Sequence, residues 1–155
     1  MDVIKNFKRD FNFNDKYIFV YQLDRNRVMK DFINKASIKF NYKIFKVDLS
    51  KPNFIENFLF GVNMSKAIVT DSFHGTAFSI IFNKPFISYI NTNRGRLRFY
   101  SLQKTFALKD RIIFPDKHIK PDINLLNIPL DINQDLLNSF RNFSIKYLKN
   151  NLHIN

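Results

Sequence analysis

The sequence contains no cysteine, and that absence removes disulfides, thiolate nucleophiles and Cys-ligated zinc or iron–sulfur clusters together. Histidine is scarce as well. His74, His118 and His153 stand too far apart for a local metal motif, so no metal site is expected. No apolar run reaches the roughly 18–20 residues of a membrane-spanning helix, and Met1-Asp2-Val3-Ile4-Lys5 lacks the apolar stretch of a signal peptide. The expectation is a cytoplasmic protein without a transmembrane segment. Glycine occurs only at Gly61, Gly75 and Gly95, where average usage would place roughly eleven in this length. Each of the three therefore needs a local reason.

What is present is enough for one core. A chain of 155 residues is the usual size of a single domain, here spanning residues 1–155, and 45% hydrophobic residues with 19 Phe argue against disorder. The net charge of +12 is the composition of a nucleic-acid or anionic-surface binder. A plainer source competes with that reading. Asn, Ile, Phe and Lys together supply 75 residues, the set an AT-rich genome favours, and no five or six basic residues stand in a row. Nucleic acid is therefore not an expected partner.

From Lys16 onward, short β-rich runs alternate with amphipathic stretches, the pattern of βαβ units and a parallel sheet. Tyr17 to Gln22 reads as a strand covered on both faces. Arg25 to Phe40 reads as a helix with Val28, Phe32, Ala36 and Phe40 as its apolar stripe. Lys43 to Leu49 is the second strand, and Pro52 opens a helix with Phe54, Ile55, Phe58, Leu59 and Val62 on one side. Gly61 is expected to end that helix in the left-handed region. Ala67 to Thr70, Gly75 to Phe82 and Pro85 to Ile90 continue as strand, helix and strand. Leu97 to Leu108 reads as a helix and Ile112 to Phe114 as a short fifth strand. Pro115 to Pro129, with three prolines, reads as irregular, and an Asp131/Asn133 start signal precedes a C-terminal helix carrying Leu136, Leu137, Phe140, Phe143, Tyr147 and Leu148. The expected sheet order is 2-1-3-4, with helices on both faces.

The informative segment is Asp71-Ser72-Phe73-His74-Gly75-Thr76, directly after a strand and before a helix. If the first and third strands are neighbours, this turn lies at the point where strand order reverses, where open α/β sheets bind ligands. The N–H groups of Gly75, Thr76 and Ala77 would then point outward from a helix N-terminus that favours phosphate or carboxylate. Gly75 would let the backbone approach a ligand, and His74 would stand beside the anion as donor or acid. The competing reading is structural: Asp71 or Ser72 caps the helix and His74 fills space. Arg94, Arg96 and Arg98, on the glycine-containing loop after the fourth strand, are expected to face the same edge and suit bidentate binding of an anion.

Residues Ala67 to Phe86, with their Ser-Phe-His-Gly signature, resemble the polysaccharide pyruvyl transferase family. Tyr17 to Gln22, Asn93-Arg94-Gly95-Arg96 and Leu108-Lys109-Asp110-Arg111 resemble further segments of it, so the likeness runs over about residues 15–113. The resemblance implies a three-layer Rossmann-like α/β domain similar to the C-terminal half of a GT-B fold, its N-terminal partner domain missing from this chain. It implies transfer of the pyruvyl group of phosphoenolpyruvate to a glycan or lipid-linked sugar in capsule or exopolysaccharide synthesis, with no cofactor. His74 becomes the implied catalytic acid, and Asp71, Ser72, Gly75, Thr76, Arg94 and Arg96 the implied substrate contacts. Two departures stand out. Some relatives carry Arg-Leu-His in place of Ser-Phe-His, a charge that Arg94 or Arg96 would have to supply here, and Ala107 stands where the Leu108–Arg111 turn usually begins with glycine. Two other readings remain: a GT-B glycosyltransferase half that binds a nucleotide sugar, and a non-enzymatic basic module for nucleic acid or an anionic surface.

Overall fold

The computed structural model describes residues 15–91, 95–115 and 120–152. Five strands form one sheet: β1 (Tyr17–Tyr21), β2 (Lys43–Lys46), β3 (Ala67–Thr70), β4 (Phe86–Tyr89) and β5 (Ile112–Ile113). Their order is β2-β1-β3-β4-β5 and every pairing is parallel. The expected 2-1-3-4 core is thus present with β5 added beside β4. Strand order reverses between β1 and β3, which pair with Phe19 opposite Ile68. Four helices join these strands or follow them, α1 (Arg27–Phe40), α2 (Phe54–Met64), α3 (Phe73–Ile81) and α4 (Arg96–Thr105), and a fifth, α5 (Gln134–Leu152), ends the described chain.

Alternation along β1 divides the core in two. Phe19 points to a face filled by Phe58 and Val62 of α2, Ile80 of α3 and Phe99 of α4. Ile18 and Val20 point to the other face, against Met29, Phe32, Ile33 and Ala36 of α1 and Leu126 of a 3-10 helix (Ile123–Asn127). The result is a three-layer, Rossmann-like α/β domain. No described helix is long and apolar enough to cross a membrane.

Several local expectations are corrected. The buried stripe of α1 is Met29, Phe32, Ile33 and Ala36, whereas Val28 is 66% exposed. Steps of four residues overshoot a 3.6-residue turn by about 40° each, so a stripe written four apart walks off the face it starts on. Ile55 and Leu59 of α2 are likewise exposed. Gly61 does not end α2; it lies within the helix, where a Cβ would meet the Phe19 ring, with Cδ2 2.5 Å away. Its reason is close helix-to-sheet packing. Within Pro115 to Pro129 the 3-10 helix is regular, started by Asp122, whose side chain accepts from the Asn124 N–H, and it buries Leu126 completely. The C-terminal helix α5 forms after Asn133, whose side chain accepts from the Leu136 N–H, but none of its residues is buried.

Ala107 ends the loop after α4 with φ 54°, in the left-handed region. A side chain there is disfavoured by about 1–2 kcal/mol, partly offset in glycine by its greater freedom when unfolded. Ala107 is exposed and loses little by truncation. Ala107→Gly is therefore expected to stabilise the chain by about 0.5–1 kcal/mol, raising Tm by about 1–4 °C in a thermal melt. A lower Tm would show that this turn tolerates alanine without strain.

Candidate active site

The site is built on the turn from β3 into α3, at the carboxyl edge of the sheet beside β1. Thr70 starts the turn: its hydroxyl donates to the Tyr21 carbonyl (2.7 Å) and accepts from the Ser72 N–H (3.0 Å). Asp71 then reaches across the switch point, and its carboxylate accepts from the N–H groups of Leu23 (2.7 Å) and Asp24 (2.9 Å). Burial pushes the Asp71 carboxyl above its usual range, while the two N–H donors pull it back and nearby Asp24 adds a smaller upward push. This carboxylate ties the end of β1 to the end of β3. Asp24 in turn accepts from the Asn91 side-chain amide after β4 (2.7 Å), so three strand ends are joined by one polar chain.

Ser72 has extended backbone and caps α3, its hydroxyl accepting from the Gly75 N–H (3.5 Å). Thr76 is fully buried. Its hydroxyl donates to the Ser72 carbonyl (3.0 Å) and lies 2.7 Å from the Ser88 hydroxyl on β4. Gly75 has no room for a side chain, because a Cβ would stand 2.9 Å from the Thr70 Cβ and closer still to its hydroxyl. The close approach that Gly75 permits is to the chain's own Thr70.

These contacts correct the expected set of free donors. The Gly75 N–H meets the Ser72 hydroxyl, the Thr76 N–H meets the Ser72 carbonyl (3.0 Å), and Ala77 lies within the helical ladder. Reading α3 from Gly75 placed its start two residues late. The helix begins at Phe73, so the orphan donors of its first turn belong to Phe73 and His74. Neither N–H has a partner among the described residues.

His74 is exposed on this first turn. Phe73 lies partly buried beside it, its ring edge-on to His74 (centroids 6.0 Å) and to buried Phe99 (5.6 Å). The Arg98 guanidinium sits 4.7 Å over the same Phe73 ring, a cation–π seat that leaves its charge exposed. Gly95 makes that seat possible: it adopts φ 69° and a Cβ there would stand 2.7 Å from Arg98 Nη2. Arg96 takes a different direction. It is half-buried, 5.2 Å over the Tyr100 ring and 5.3 Å over Phe114, and donates to the Tyr100 hydroxyl (2.8 Å). Arg94, His118 and His153 lie outside the described residues. Among the described residues no group of His, Asp or Glu is placed to hold a metal ion.

Sequence reasoning passed over one further arginine. Arg111 is buried and donates to the carbonyls of Leu125 (2.7 Å), Ile128 (3.0 Å) and Pro129 (3.4 Å). It is the clasp of the 3-10 segment. Its only signal was the Asp110-Arg111 pair in the turn, which does not say where the guanidinium goes.

Fold and site together define a parallel, Rossmann-like α/β domain with a histidine at a helix start on its switch point. A family model described as polysaccharide pyruvyl transferase matches residues 2–93, more than half of the chain. The chain belongs to the polysaccharide pyruvyl transferase family. The match includes β1 to β4 and the Ser72-to-Gly75 turn, and it stops before Gly95, Arg96 and Arg98. No curated protein and no solved structure matches the chain.

Proposed function

We propose that the chain is the donor-binding half of a transferase that moves the pyruvyl group of phosphoenolpyruvate onto two hydroxyls of a surface-polysaccharide sugar. In that reaction the methylene carbon of the donor gains a proton from an acid, its C2 bonds to both sugar oxygens, and inorganic phosphate leaves as a cyclic ketal forms, one hydroxyl proton restoring the acid and the other leaving with the phosphate. His74 is the acid that delivers the proton. The carboxylate and phosphate of the donor need N–H donors and a cation, and the first turn of α3 with Arg98 offers both. Arg94 remains a further candidate on the loop before α4, whereas Arg96 is held by Tyr100 and Phe114. Asp71, Ser72, Gly75 and Thr76 hold the turn that presents His74, their own polar groups being spent within the fold. His74 is exposed, so a second domain would form the facing wall of the cleft, and this chain alone is expected to transfer little or nothing.

One observation carries the reading: Arg98 and His74 flank the same Phe73 ring at a helix start on the switch point. It replaces the charge that Arg-Leu-His relatives carry in the signature itself. Arg98→Gln is expected to weaken phosphoenolpyruvate binding about tenfold, since a charge-assisted hydrogen bond is worth about 1.5–3 kcal/mol. Calorimetric titration of both forms checks it. Unchanged affinity, or tight binding of a nucleotide sugar in place of phosphoenolpyruvate, would remove Arg98 or the donor from the scheme.

A further inference from the structure

Three adjoining hollows run along the α1 side of the sheet, from the end of β3 past the start of α1 to the 3-10 helix. The first, about 210 Å³, is lined by Asp24, Arg25 and Asp71; the second, about 420 Å³, by Val28, Phe114 and Pro121; the third, about 520 Å³, by Asp31, Lys35 and Asp122. Tyr89, the last residue of β4, lines all three. It is 6% exposed, its ring packs edge-on to Phe32 (5.8 Å), and its hydroxyl is buried with no hydrogen-bond partner among the described residues. Burial also pushes the hydroxyl's pKa up, so it stays a protonated donor.

A phenylalanine would fill the same space without desolvating a hydroxyl, so the retained oxygen calls for a partner. The rim indicates which. In a chain of net charge +12 this groove carries three cations, Arg25, Lys35 and Lys120, against four carboxylates, Asp24, Asp31 and Asp122 at the rim and buried Asp71. A polyanion gains no field from such a rim. A neutral polyhydroxylated chain finds donors and acceptors along it, and apolar walls for its C–H faces.

We infer that the groove is a subsite for an uncharged stretch of oligosaccharide, with the Tyr89 hydroxyl donating to a sugar oxygen. The inference rests on the reading that a glycan is the acceptor, and it places the acceptor's approach at Asp71, three residues before His74. The test is a titration of residues 1–155 with uncharged tetrasaccharides of glucose, galactose, mannose and N-acetylglucosamine, followed by amide chemical shifts, with oligogalacturonate as the anionic comparison. At least one neutral probe is expected to shift Val28, Ile90 and Ile113. Tyr89→Phe should weaken it about tenfold, the effect of one lost hydrogen bond at about 1.4 kcal/mol, while raising the Tm of the free chain by about 2–4 °C. Val28→Glu, at an exposed position where folding is not at risk, should also block it. No shift from any neutral probe, tighter binding of oligogalacturonate, equal binding by Tyr89→Phe, or a lower Tm for that variant would each overturn the proposal. The last would mean that the hydroxyl has an internal partner. Phosphoenolpyruvate binding separates the two readings: it should survive Tyr89→Phe, and its loss through Arg98→Gln bears only on the donor site.

Discussion

His74→Ala is expected to lower pyruvyl transfer by about 10²-fold or more when the chain is assayed in a catalytically competent form, the usual loss when a general acid is removed. The imidazole is exposed on the first turn of α3, so its removal leaves no cavity and no orphaned partner. The cap that starts the helix belongs to Ser72, and the link to β1 belongs to Asp71. The variant should therefore fold as the parent does, by circular dichroism and by Tm. Any change in turnover then reports chemistry. Lys30→Ala, on the exposed side of α1, is the matched control and should leave turnover unchanged. Wild-type turnover in His74→Ala would mean that the turn is a helix start and nothing more.

Arg111→Ala should have the largest effect on stability, about 3 kcal/mol or more, because hydrogen bonds from a charged donor contribute about 1.5–3 kcal/mol each and three carbonyls lose theirs at once. In a domain of this size that corresponds to a Tm lower by about 6–12 °C. Burial pulls the pKa of the guanidinium down, while Nη1 donates to Leu125 and Nη2 to Ile128 and Pro129. Arg111→Lys should recover only part of the loss, since one ammonium cannot span the carbonyls of Leu125, Ile128 and Pro129 as a planar fork does. Beneath that segment lies Leu126, fully buried against the α1 side of the core. Loosening the clasp therefore exposes apolar surface as well as carbonyls. A melt of Arg111→Ala within a degree of the parent would show that Leu126 alone holds the segment.

β3 runs over the residues expected, Ala67–Thr70, because a strand buried on both faces is an unbroken apolar run bounded by polar residues. α1 was found and Phe32 and Ala36 of its expected stripe are buried, but Val28 is exposed and Met29 and Ile33 take its place, since a four-residue step approximates a 3.6-residue turn only over a short stretch. α5 was found from its apolar spacing, yet that spacing does not say what the face meets, and here Phe143 and Tyr147 are 70% and 59% exposed. The three glycines divide in the same way. Gly95 takes the left-handed conformation that glycine permits, while Gly61 and Gly75, both in helices, are small because Phe19 of β1 and Thr70 of β3 come close.

By itself the sequence determined the alternating α/β order, the parallel sheet with its reversal between the first and third strands, and the placement of His74 at the start of a helix on that reversal. These are properties of periodicity and local motif, which are written in consecutive residues. Only the tertiary structure decided which groups at the turn are spent and which are free. Asp71 is consumed by backbone 47 and 48 residues away, Arg96 by Tyr100 and Phe114, and Arg111 by the 3-10 segment, whereas Arg98 keeps an exposed charge beside Phe73. The physical reason is that a hydrogen bond or a ring contact is set by distance through space, and residues far apart in the chain become neighbours only when the sheet closes.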